Sequence, residues 1–167
     1  ATSTMTWTQL DATNYHYDLI LNDTGTTTVG TFWFAWIPGQ NYMPTTPFNT
    51  AGPTSWTPVI TGGGAGNGHA VRWVAAVGVR LNPGDSQSGF GFDSATTPTE
   101  MAGNAVYFAN PPVTTTVVYS AGAFSDAGLT FTIPLTAAAT PEPSAIVLSS
   151  LGLAGLMAAR RKRSNDI

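Results

Sequence analysis

Between Met5 and Leu135, apolar and polar residues alternate with a period of two in short runs, the pattern of strands that bury one face. Met5–Asp11 sets Met5, Trp7 and Gln9 against Thr6, Thr8 and Leu10, and reads as a first or edge strand. Asn14–Asn22 places Tyr15, Tyr17, Leu19 and Leu21 on one face and His16, Asp18, Ile20 and Asn22 on the other. Asp23-Thr24-Gly25 is a turn signal, so the next run, Thr27–Ile37, is expected to form a hairpin with it. That third run is apolar on both faces, with Phe32, Phe34 and Trp36 on one and Trp33, Ala35 and Ile37 on the other. Either the proline-rich stretch Pro38–Pro58, with Tyr42, Phe48 and Trp56, folds over its outer face, or that face meets a glycan or a second subunit. Further strands are predicted at Ala70–Leu81, Ser88–Phe92, Thr114–Ser120 and Leu129–Leu135. The glycine run Thr61–Gly68 is read as a mobile turn, Asn82-Pro83-Gly84-Asp85 as a tight turn and Asp93–Asn110 as irregular.

Seven or eight short strands with turns between them, and no helical stripe with caps, predict an all-β antiparallel sandwich over residues 1–136, immunoglobulin-like or jelly-roll. No internal repeat of fixed period argues for a propeller or solenoid.

The pattern changes completely after this. A linker over 137–144 contains Pro141-Glu142-Pro143-Ser144. The run 145–159 is apolar all round, and 160–167 opens with Arg160-Arg161-Lys162-Arg163. Fifteen such residues form a helix of roughly 22 Å, short of the ~30 Å bilayer core, so insertion is marginal and transient. The basic cluster is expected to stay cytoplasmic, leaving the sandwich on the far side of the membrane. Pro-Glu-Pro, an apolar segment and an Arg-rich end, in that order, resemble the PEP-CTERM sorting signal. The resemblance implies export and recognition of Pro141–Ser144 by an exosortase-type processing enzyme. It also implies a place at the cell surface or in an exopolysaccharide-rich matrix. A secretory leader is expected to have preceded Ala1.

Charge sharpens the division. Charged residues are 9% of the chain, and residues 1–140 hold seven acids against two bases, while the tail carries four of the six basic residues. A nearly lysine-free acidic body lacks the footprint that nucleic acid requires. Without cysteine, neither disulfides nor thiolate metal sites are available.

Catalytic signatures are not evident. His16 and His69 belong to no zinc-type motif, Ser86 in GDSQSG does not sit on a nucleophile elbow, and Asp85, Asp93 and Glu100 have no patterned spacing. No catalytic residue, metal or cofactor is assigned. The expected function is that of a non-enzymatic surface or matrix protein, self-assembling into an oligomer or filament through an unpaired edge such as that near Met5. The alternative is a carbohydrate-binding module stacking sugars on Trp33, Trp36, Tyr42 or Trp56. A glycoside hydrolase using the scattered carboxylates ranks third.

Overall fold

A computed structural model describes residues 1–138; the predicted tail helix over 145–159, the Pro141–Ser144 motif and the Arg160–Arg163 cluster lie outside the described residues. The described chain is all-β. In order it forms β1 (Thr2–Gln9), β2 (Tyr15–Asn22), β3 (Thr31–Phe34), β4 (Trp36–Ile37), β5 (Gln40–Asn41), β6 (Phe48–Ala51), β7 (Trp56–Gly62), β8 (His69–Ala75) and β9 (Ser86–Ser94). A short helix α1 (Pro98–Ala102) precedes β10 (Thr115–Tyr119), β11 (Leu129–Thr132) and β12 (Leu135–Ala137).

Two five-stranded sheets pack face to face, β12-β1-β2-β9-β6 against β11-β10-β3-β8-β7, with β4 and β5 as a separate two-stranded ribbon. The expected all-β antiparallel architecture is present, with β1-β2-β9 in one layer and β11-β10-β3 in the other; β8, rather than β7, stands beside β3, and β6 joins the first sheet beside β9.

The period-two faces become the core. Met5, Tyr17, Leu19, Leu21, Phe90 and Phe92 from the first sheet, and Phe32, Phe34, Val71 and Trp73 from the second, are all fully buried. Phe90 meets Phe32, Trp56 and Trp73 edge-on at centroid distances of 5.1, 5.2 and 5.5 Å, and Phe32 stacks on Trp73 at 5.3 Å. These are the offset and T-shaped geometries that the ring quadrupole favours.

Several sequence expectations are corrected by this topology. The predicted hairpin between the second and third runs does not form: β2 pairs with β1 and β9, and β3 with β10 and β8. The chain instead crosses between sheets, so Leu19 and Leu21 from one layer and Phe32 and Phe34 from the other enter one buried core. The third run is also shorter than expected, because Ala35 turns to a φ of 57° and ends the strand after Phe34. The Leu129–Leu135 run is split at Ile133-Pro134. β11 stays in the second sheet and β12 joins the first, parallel to β1, with Met5 N donating to Pro134 O and Ala138 N to Trp7 O. β1 is therefore an interior strand, and the expectation of a free edge near Met5 gives way. The sheet edges are β12 and β6 in one layer and β11 and β7 in the other.

The cover over the outer face of β3 comes mainly from an unexpected source. Ala35 swings Trp36 back so that it stacks on Trp33 at 4.2 Å, and the guanidinium of Arg72 lies 5.1 Å from the Trp33 ring. Tyr119 and Phe124 close over Trp36. Most of the proline-rich segment goes elsewhere: Phe48–Ala51 becomes edge strand β6, and Trp56 enters the core. The stretch read as irregular contains α1, stapled by a capping box in which the Thr97 side chain accepts from Glu100 N and the Glu100 carboxylate accepts from Thr97 N.

Candidate functional site

The outer face of the first sheet brings together ionisable groups that are far apart in sequence. His16 and Asp18 alternate onto that face of β2, and β9 runs alongside with His16 opposite Asp93 and Asp18 opposite Gly91. His16 Nδ1 lies 2.6 Å from Asp93 Oδ1, and Nε2 lies 3.2 Å from Asp18 Oδ1. Asn49, from edge strand β6, donates Nδ2 to the other Asp93 oxygen at 2.7 Å. Asp93 is nearly buried, whereas the Asp18 side chain is 62% exposed. A relay Asn49–Asp93–His16 thus ends in a ring nitrogen facing solvent beside a second carboxylate.

The electrostatics follow from this geometry. Burial by itself would lower the His16 pKa, but the hydrogen bond to Asp93 and the charge of Asp18 outweigh it, and the pKa lies above its ordinary value. A raised folded-state pKa contributes stability that is fully present below the unfolded value of 6.5 and is lost as pH rises through the folded value. Replacing His16 with glutamine is accordingly expected to cost most at acid pH, about 0.5–1 kcal/mol for this partly exposed pair, and progressively less above neutrality. Urea denaturation of both proteins from pH 5 to 9 checks this; a difference that grows with pH contradicts it.

Nothing local in the sequence marks this cluster, because His16 lies in no metal or catalytic motif and Asp93 is an unpatterned acid 77 residues away. The available signal was the period-two spacing that sets His16 and Asp18 on one face. The pairing of β2 with β9 was not legible.

The other expected residues separate. Trp33, Trp36 and Trp56 are each 5% exposed and Tyr42 is 3% exposed. The expectation that they present stacking faces to a glycan or subunit is corrected: Trp33 and Trp36 stack on each other, Tyr42 lies against Phe108, and Trp56 against Phe90. The carboxylates scatter. Asp85 accepts from Asn82 Nδ2 in the tight turn, Glu100 caps α1, and Asp93 belongs to the histidine cluster. His69 shares Nε2 with Thr46 Oγ1 at 3.1 Å, away from His16.

The glycine run is more constrained than a mobile turn. It closes the β7–β8 hairpin, where Asn67 Oδ1 accepts from Gln40 Nε2 at 2.6 Å and from Asn41 N at 3.1 Å. At one end of the sandwich a cavity of about 260 Å³ is lined by Asp23, Tyr119 and Asp126 among others. There Asp126 accepts from Ser120 N and Gly128 N and holds the loop between β10 and β11.

Comparison with known proteins places one segment. Residues 139–163 match the family model of the PEP-CTERM protein-sorting motif. The motif marks the chain as exported and sorted, and is a substrate signal for exosortase processing. No curated protein matches the chain. Among solved structures, the chain is similar to the solution structure of the chitin-binding domain of Chi18aC from Streptomyces coelicolor, at 24% identity over 55% of this chain and 78% of that one. The TM-score is 0.31, too low for a shared fold or ligand to follow.

Proposed function

We propose that this is a non-enzymatic structural protein of the cell surface or extracellular matrix, associated with exopolysaccharide, whose sandwich is delivered through its C-terminal signal and works by contact rather than by turnover. The observation that carries this reading is the sorting motif over 139–163 attached to an all-β body. Three further features support it. The body is poor in charge. The side-chain partners of His16 are carboxylates, not a hydroxyl nucleophile that it could activate. The edge strands β7 (WTPVITG) and β11 (LTFT) carry no charged residue to repel a neighbouring copy, and only Pro58 on β7 interrupts donation to a ladder. Oligomer or filament formation in this reading uses those edges instead of β1. A carbohydrate-binding module ranks second, because its four stacking residues lie in the core.

Intact mass and C-terminal peptide coverage of the protein recovered from washed extracellular material test the reading. The expected product ends within Pro141–Ser144 and sediments with the matrix. Recovery only from the cytoplasm, or as a full-length chain ending at Ile167 in the inner membrane, overturns it.

A further inference from the structure

We propose that His16 and Asp18 form a binding site for a divalent transition-metal ion of the zinc class on the outer face of the first sheet. This inference is independent of the surface role proposed above.

Spacing is the first support. Two donors held on one ion at about 2.0–2.1 Å in tetrahedral geometry stand roughly 3.3 Å apart. His16 Nε2 and Asp18 Oδ1 are 3.2 Å apart. The strand produces that bite directly, because residues two apart project from the same face.

The second support is orientation. A metal-binding imidazole commonly donates its other ring N–H to a carboxylate, which fixes the tautomer and directs the free lone pair at the ion. His16 Nδ1 makes that contact with Asp93 at 2.6 Å, and Asn49 Nδ2 in turn holds Asp93 at 2.7 Å. That contact keeps a proton on Nδ1, and a bound ion takes the place of the Nε2 proton that otherwise bridges to Asp18. A simple surface ion pair has no need of this two-step support, which reaches through three strands.

The third is room. Gly91 lies opposite Asp18 on β9, and a side-chain carbon there would stand 3.5 Å from His16 Cε1 and 3.6 Å from Asp18 Oδ1. Glycine leaves that volume open beside both donors.

Chemistry decides the class of ion. One imidazole with one carboxylate suits zinc, copper or nickel, whereas calcium and magnesium take oxygen donors. Among the described residues, no three of His, Asp and Glu converge on one point. The site therefore supplies two donors, and the remaining positions face solvent, open to water or to an oxygen donor from outside the chain. Such a site is open and exchangeable rather than a structural one closed by four protein ligands.

Zinc titration of the full-length chain by calorimetry, with the imidazole resonances followed by NMR, tests the proposal. One saturable zinc per chain is expected, with the His16 ring as the histidine that shifts. His16→Ala should abolish binding. Asp93→Asn and Asn49→Ala, which leave both donors in place, should weaken it about 10- to 100-fold. Asp18→Asn removes an exposed donor, so its fold should survive; circular dichroism checks that, and zinc affinity should drop at least about tenfold. His69→Ala should bind zinc as the native chain does. Absence of saturable binding, affinity unchanged in folded Asp18→Asn, or loss of binding in His69→Ala would each overturn the proposal.

Discussion

Trp73→Ala should remove about 3–5 kcal/mol of stability, enough to leave the sandwich largely unfolded at physiological temperature if it has the ordinary stability of a single domain. Trp73 is fully buried in β8 and touches both layers. Its ring stacks on Phe32 at 5.3 Å and meets Phe90 edge-on at 5.5 Å. Its indole N–H donates to the Ala51 carbonyl at 2.7 Å, tying β8 of one sheet to edge strand β6 of the other. Alanine opens a cavity and also leaves that carbonyl without its partner, so two costs add. Trp73→Phe separates them: it keeps most of the apolar volume and loses the hydrogen bond, with an expected cost of about 2 kcal/mol. Guanidinium denaturation of the three proteins measures both terms. A midpoint for the alanine variant close to the native one would mean that the two sheets are held together elsewhere.

Gly62→Ala should be nearly as damaging, about 3 kcal/mol, although it adds a single methyl group at the end of an exposed strand. Gly62 has a φ of 96°, outside the range that an L side chain tolerates. A Cβ there would stand 2.0 Å from the Gly68 carbonyl oxygen and 3.0 Å from Asn41 Cγ. The obstacle is backbone, so the hairpin itself must open. Opening it strains the Gly63 N to Gly68 O bond at 3.0 Å and the His69 N to Met43 O bond at 2.8 Å. It also moves Asn67 away from Gln40 and Asn41. Gly64→Ala, two residues along in the same run, meets nothing within 4 Å and should change stability by less than about 0.5 kcal/mol. Thermal melts of the two variants side by side give a sharp contrast. Equal losses would mean that the run behaves as a uniform flexible loop.

That contrast shows where a linear reading stops. TGGGAGNG looks like one flexible unit, yet Gly64 sits in open space while Gly62 and Gly68 are wedged against backbone. Which glycine matters depends on what lies opposite, and Asn41 and Met43 reach this hairpin from a distant part of the chain. The same limit explains the aromatic residues. Trp33 and Trp36 seemed available because a two-faced apolar strand asks for a cover. The cover turned out to be one of those residues, folded back onto the other by the positive φ of Ala35. Alternation identifies the faces of a strand but does not say what lies over them.

The sequence by itself determined the strand class, because side-chain direction in a strand is a local property that repeats every two residues. It placed Tyr17, Leu19 and Leu21 on a buried face and His16 and Asp18 on the other. It also marked the sorting signal, whose information lies in the linear order of Pro-Glu-Pro, apolar run and basic end. Tertiary structure alone decided strand neighbours. Placing β12 beside β1, β2 beside β9 and β3 away from β2 joins segments far apart in the chain, which no local spacing encodes. The Asn49–Asp93–His16 relay exists only through those pairings, because its three residues stand on three different strands of one sheet.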